Sequence, residues 1–299
     1  MDFLDELQHR ILPGDGAMGT ALMTAGVPGD ACFEELCVSA PERVAEVHAQ
    51  AIGAGARLIR TNTFGANAVR LARHGHGHRV SEINWSAAQL AKEAARGTGV
   101  HVAGSVGPLG LGAAEAEARG IDQEEVFTEQ IGALLDGGAR LIFLETFLDL
   151  EELLIAVQVK HALHHCPVIA SLACPEDGRL PDGTTLAAAF AKLRAADADV
   201  VGVNCVNGPA AAVRLLENIG GAGPLAAFPS AGLPVPHEGR LVYPATPEDF
   251  ANAAGLLARQ GVRLIGGCCG TGAAHLAAIA EALASFANEK ETQPGAEAR

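Results

Sequence analysis

Three cysteines carry the first chemistry this sequence offers. Cys268 and Cys269 stand side by side in "GGCCGT" (266–271), directly after the apolar run "VRLI". Cys205 follows another apolar run in "GVNCVNGP" (202–209). Neighbouring residues in a strand face opposite sides, so both thiols of the pair reach one point only where the chain has left the strand. Gly266, Gly267 and Gly270 supply the torsional freedom for that departure. Three thiolates around one point make a tetrahedral zinc site with one open position, the catalytic pattern. Two other readings of the same residues stay open: a strained redox disulfide in the vicinal pair, and a glycine-rich loop that holds phosphate. Cys32, Cys37, Cys166 and Cys174 read as small buried hydrophobes.

The elements that must position these thiols repeat along the chain. Strands are expected at 10–16, 56–62, 100–106, 139–146, 167–173, 199–205, 224–230 and 262–267. Between them lie helical stretches. "PERVAEVHAQAIGAG" opens on Pro41 and Glu42, ends in glycines, and sets Val44, Val47, His48 and Ala51 on one face. "TPEDFANAAGLLARQG" has Thr246 as N-cap, Pro247 at the first helical position and Gly261 past the end. Eight near-continuous apolar strands separated by helices predict a parallel sheet covered on both sides. Eight units in 299 residues fit one closed (β/α)8 TIM barrel over residues 1–287 better than an open doubly wound sheet. The polar stretch 288–299 reads as a disordered tail or a linker stub.

Barrel active sites form at the carboxyl ends of the strands. Here those ends read "GDG", "TNTF", "SVGP", "ETF", "NCVNGP", "FPSAG" and "GGCCGT". Nearly all are polar, glycine-rich or thiol-bearing, which mere connections do not require. Cys205 ends the sixth unit and Cys268 follows the eighth, two positions apart around the mouth, so the thiols can converge.

Composition narrows the function classes. The formal net charge is −14, which repels phosphate backbones, and aromatics are only 4% of residues, which leaves little for stacking bases. Nucleic acid is therefore not expected as a partner. No run reaches the ~18 apolar residues of a membrane helix. The opening "MDFLDELQHR" is acidic and amphipathic, unlike a signal peptide. Seven cysteines in a chain too long to need disulfide staples point to reduced thiols and a cytoplasmic protein.

Taken in order, "GDGAMGT", "TNTFGAN", "GSVGP", "ETF", "GVNCVNGP", "AGLP…VYPATPEDFA" and "GGCCGT" resemble the zinc-dependent homocysteine S-methyltransferases. The nearest kin resemble the homocysteine-binding module of cobalamin-dependent methionine synthase. The resemblance covers roughly residues 10 to 285. It implies Cys205, Cys268 and Cys269 as zinc ligands. It places Asp15 and Glu145 near the substrate amino group, the backbone of Gly16 and Ala17 near its carboxylate, and Thr63 at the pocket wall. Glu145 ends the apolar strand "LIFLE" and needs a cationic partner, which an α-ammonium group supplies. Relatives often carry Asn where this chain has Ser230, so water, Ser230 or another group fills the fourth metal position at rest. Gly65 after "TNTF" argues against a betaine pocket.

The implied reaction moves a methyl group to the thiol of L-homocysteine and gives methionine. A zinc site with three thiolates ionises the incoming thiol while leaving its sulfur nucleophilic. The methyl donor is either methylcobalamin on a partner corrinoid protein or domain, or a small sulfonium such as S-methylmethionine. No "DxHxxG" cobalamin signature occurs in the chain. Two rivals stand beside this reading: a non-catalytic zinc- and homocysteine-binding accessory subunit of a corrinoid methyltransferase system, and a phosphate-binding barrel enzyme. The alternating histidines of "RHGHGHR" (73–79) read as a solvated loop. Trp85 and Tyr243 read as packing residues. Phe64 lines the pocket or belongs to the core.

Overall fold

The computed structural model describes residues 2–292 apart from 218, 220, 222, 238 and 239. Eight parallel strands form the sheet: β1 (Leu12–Pro13), β2 (Leu58–Arg60), β3 (His101–Val106), β4 (Ile142–Phe147), β5 (Val168–Leu172), β6 (Val200–Asn204), β7 (Leu225–Phe228) and, after a hairpin, β10 (Val262–Ile265). The strand order β1-β10-β7-β6-β5-β4-β3-β2 follows the chain around a ring. A parallel bridge between Gly14 and Leu58, and a hydrogen bond from Arg57 N to Pro13 O of 2.7 Å, close β1 onto β2. The fold is the (β/α)8 barrel expected.

Successive side chains on a strand alternate between the barrel interior and the helical layer. The inner face begins apolar. Leu12, Leu58, Ala103, Phe143, Ile169, Phe228 and Leu264 pack together, and Phe3 and Leu7 of the helix Phe3–His9 cover them at the amino-terminal end. Two residues further along several strands, the same inward row carries Arg60, Ser105, Glu145 and Ser171, joined by Asn204 at the end of β6. The interior thus changes from apolar to polar as the strands approach the site. Outside the ring, helices such as Gln123–Asp136 and Leu150–Leu163 pack against the sheet through Phe127, Ile131, Leu153 and Val157, all fully buried.

Local signals act where expected. Thr246 caps the helix Pro247–Arg259 through a reciprocal box with Asp249, and Pro247 occupies its first turn. The helix Pro41–Gly53 buries Val44, His48 and Ala51. Three expectations need correction. Two short strands pair antiparallel, β8 (Val235–His237) with β9 (Arg240–Val242), where no strand was expected. The last helix runs from Ala273 to Thr292, so 288–292 are helical rather than tail, and 293–299 lie outside the described residues. Trp85 is 49% exposed, because the helix Val80–Ala95 turns Ile83, Asn84, Ala87 and Ala88 inward and leaves position 85 on the other side. No helix among the described residues is long and apolar enough to cross a membrane.

Candidate metal and substrate site

The three thiols meet at the carboxyl end of the barrel. The Sγ atoms of Cys205, Cys268 and Cys269 all lie within 4.8 Å of one another, and Cys205 to Cys269 is 3.8 Å. Backbone bonds hold each one in place. Cys205 N donates to Phe228 O at 2.9 Å, Cys268 N to Pro229 O at 2.8 Å, and Ala231 N to Cys269 O at 2.7 Å. Thr271 Oγ1 donates to Cys268 O at 2.7 Å. Cys205 is in the left-handed region at φ 55°, which turns its side chain off the strand. Gly270, at φ 83°, completes the turn on the other side, and a Cβ there would collide with the Tyr243 ring.

This donor set fits a soft tetrahedral cation. Zinc–sulfur bonds of ~2.3 Å at tetrahedral angles set two sulfurs about 3.8 Å apart. Without a metal the thiols share protons. Hydrogen bonds from Cys205 and Cys268 pull Cys269 down to about 3, while bonds to Cys268 and Cys269, followed by burial, push Cys205 far above the thiol range. Cys268 is favoured as a thiolate by Cys205, yet its bond to Cys269 and its burial leave it raised to about 11. A cation held by these sulfurs would displace the protons they carry.

The thiols share a cavity of about 480 Å³ with Asp15, Gly16, Ala17, Thr63 and Glu145, the five residues expected around the substrate. Asp15 and Glu145 are each 6% exposed. The cation beside them is Arg60. Its Nε donates to Asp15 Oδ1 at 2.7 Å, its backbone N to Asp15 Oδ2 at 2.7 Å, and its Nη1 to Glu145 Oε2 at 2.5 Å. Ser105 Oγ donates to Glu145 Oε1 at 2.5 Å. Burial raises Asp15 to about 6 against the opposing pull of Arg60, and burial raises Glu145 as well. Thr63 is fully buried, its hydroxyl bonded to Thr61 Oγ1 at 2.6 Å and Ser105 O at 2.7 Å, so it shapes the wall rather than offering a free donor.

Several site residues escaped the sequence reading. Arg60 interrupts an apolar strand, and the two-residue period of "LIR" already turns it inward. Asn204 is fully buried and reaches across β5. Its Oδ1 accepts from Thr146 N at 2.8 Å and Ser171 Oγ at 2.8 Å, and its Nδ2 donates to Thr146 Oγ1 at 2.6 Å. Thr146 lies at φ 65°, immediately after Glu145. Asn204 therefore couples the strained residue beside Glu145 to the strained Cys205 that follows it. Tyr243 lines the cavity beside the thiols rather than simply packing, and Cys32 is half-buried at the cavity wall rather than in the core. Phe64 lines the cavity with the Arg70 guanidinium 4.8 Å from its ring centroid. His74 and His78 are exposed in the loop expected. Ser230 Oγ donates to Val206 O at 2.6 Å, which directs the hydroxyl into the backbone and away from the metal role considered for it.

Known proteins place this geometry in context. Methionine synthase of Mycobacterium tuberculosis is 33% identical over 304 residues, covering 95% of this chain and 26% of that protein. The Mycobacterium leprae methionine synthase is 32% identical over 95% of this chain. This chain spans about a quarter of the length of these curated relatives. The metallated form of the homocysteine methyltransferase MmuM from Escherichia coli superimposes with a TM-score of 0.76 at 28% identity, covering 92% of this chain and 96% of that one. The homocysteine S-methyltransferase profile matches residues 12–283, and the chain belongs to that family.

Proposed function

We propose that the chain methylates L-homocysteine to methionine. In this reading Cys205, Cys268 and Cys269 hold Zn²⁺, and Asp15 and Glu145 receive the substrate's α-ammonium, with its carboxylate near the backbone of Gly16 and Ala17. The observation that carries it is the convergence of three sulfurs within 4.8 Å in the cavity that also holds both carboxylates. Bound zinc would supply the Lewis acidity that ionises a thiol at neutral pH.

The chain's own residues do the rest. Asp15 and Glu145 orient the amino acid so that its sulfur lies toward the thiol cluster. The thiol proton leaves to solvent. The sulfur lone pair forms the new bond to the donor's methyl carbon, and the methyl–donor bond breaks with its electron pair kept by the donor. The donor is methylcobalamin presented by a partner protein or domain, or S-methylmethionine entering directly. The phosphate-binding alternative gains no support, because the loop it needs spends Cys268 and Cys269 on the thiol cluster.

Zinc analysis combined with a donor panel tests the proposal. The expected result is one zinc per chain and turnover of homocysteine with one of the two donors. Cys268→Ser should lower zinc affinity and turnover beyond the ~100-fold seen when only a supporting hydrogen bond is lost. Bound zinc without turnover from either donor would support the accessory-subunit role. Full activity in Cys268→Ser would overturn the metal reading.

A further inference from the structure

We propose that Arg60 is the positioning residue for substrate recognition, fixing Asp15 and Glu145 as a single receptor of unit negative charge for one α-ammonium group. The inference rests on the reading of these carboxylates given above. Arg60 is 6% exposed and stands on the inward row of β2. Four of the five N–H donors of its guanidinium are engaged: Nε with Asp15, Nη1 with Glu145, and Nη2 with Gly16 O at 3.0 Å and Gly267 O at 2.9 Å. Its Cζ lies 4.7 Å from the Phe228 ring centroid and 5.4 Å from that of Phe143. A group held on every side is part of the floor and does not swing out to bind a ligand.

The arrangement leaves acceptor capacity in a defined place. Each of the four carboxylate oxygens accepts one bond from the protein: two from Arg60's side chain, one from its backbone and one from Ser105. A carboxylate oxygen has two acceptor sites, so each keeps one. Both residues line the cavity. The charge count follows from the same contacts. Two carboxylates and one guanidinium leave one negative charge, matched to one ammonium. Without the Arg60 side chain the floor would hold two uncompensated carboxylates beside the thiols, each oriented by one remaining bond, from Ser105 Oγ to Glu145 and from the backbone N–H of residue 60 to Asp15. Arginine is suited to this because its rigid fork fixes two acceptors at once, which an ammonium on a flexible stem cannot do.

The test compares two acceptor thiols, homocysteine and 4-mercaptobutanoate, which lacks the amino group. Zinc-loaded wild type, Arg60→Lys and the charge-balanced double variant Arg60→Met/Glu145→Gln are assayed, with zinc content measured in each. Wild type should favour homocysteine. Arg60→Lys should raise KM for homocysteine by at least ~tenfold while kcat falls less than ~threefold, with 4-mercaptobutanoate little affected and zinc retained. The double variant, which keeps the net charge of the three groups at one negative, should show the same loss of preference. Unchanged homocysteine KM in Arg60→Lys, or equal losses on both thiols together with lost zinc, would overturn the proposal. A wild type that does not distinguish the two thiols would overturn the ammonium reading of Asp15 and Glu145, and this inference with it.

Discussion

Asp15 sits in a balance that sets the pH dependence of the site. Burial lifts its carboxyl to about 6 while Arg60 pulls it down. An acid raised in the folded state favours folding when protonated, and that contribution fades as pH climbs through about 6. Under the role proposed for Asp15, binding runs the other way, since an ammonium needs the ionised carboxylate. KM for homocysteine is therefore expected to rise as pH falls through about 6, and Asp15→Asn should flatten that rise while weakening binding at every pH. Steady-state kinetics between pH 5 and pH 8 would check this. The residue scale also shows what the sequence could reveal. The three cysteines were legible because glycines and strand ends bracket them. Arg60 was readable only from strand alternation, since a charge in an apolar strand does not announce its partner. Glu145's need for a cation was legible, but the identity of that cation depends on a contact 85 residues distant along the chain.

Elements carry the strain that aims the site. Thr146 and Cys205 both hold left-handed backbone without being glycine, and Asn204 ties them together across β5. Removing that amide orphans buried partners, at ~1–3 kcal/mol for each group left unsatisfied. Asn204→Ala is expected to lower stability by ~2–4 kcal/mol and to weaken metal binding as Cys205 loses its setting, measured by denaturant unfolding and zinc titration. Helices with caps and strands with long apolar runs were legible at this scale. The hairpin β8–β9 was not, because its strands are three residues each and one contains Pro236, too short to display a period. The end of the last helix was misread for a different reason. "NEKET" is polar, yet polar residues suit the solvated face of a helix, and composition alone does not stop one.

At the scale of the molecule, the barrel is sealed at its amino-terminal end and open at the other. Phe3 and Leu7 of the first helix pack on Leu12, Leu58, Phe143 and Leu264 inside the ring. Leu7 is 1% exposed, so Leu7→Ala should cost ~2–5 kcal/mol by cavity formation, read as a lower Tm, while the metal content stays that of wild type. The ring itself is least secure where its first and last members in spatial order meet. There β1 contributes two residues and a single bridge from Gly14. Arg60 belongs to β2 and Asp15 follows β1, so their ion pair spans that meeting point. One ionic clasp thus bridges the seam of the cylinder and, at the same time, forms part of the floor of the chamber above it.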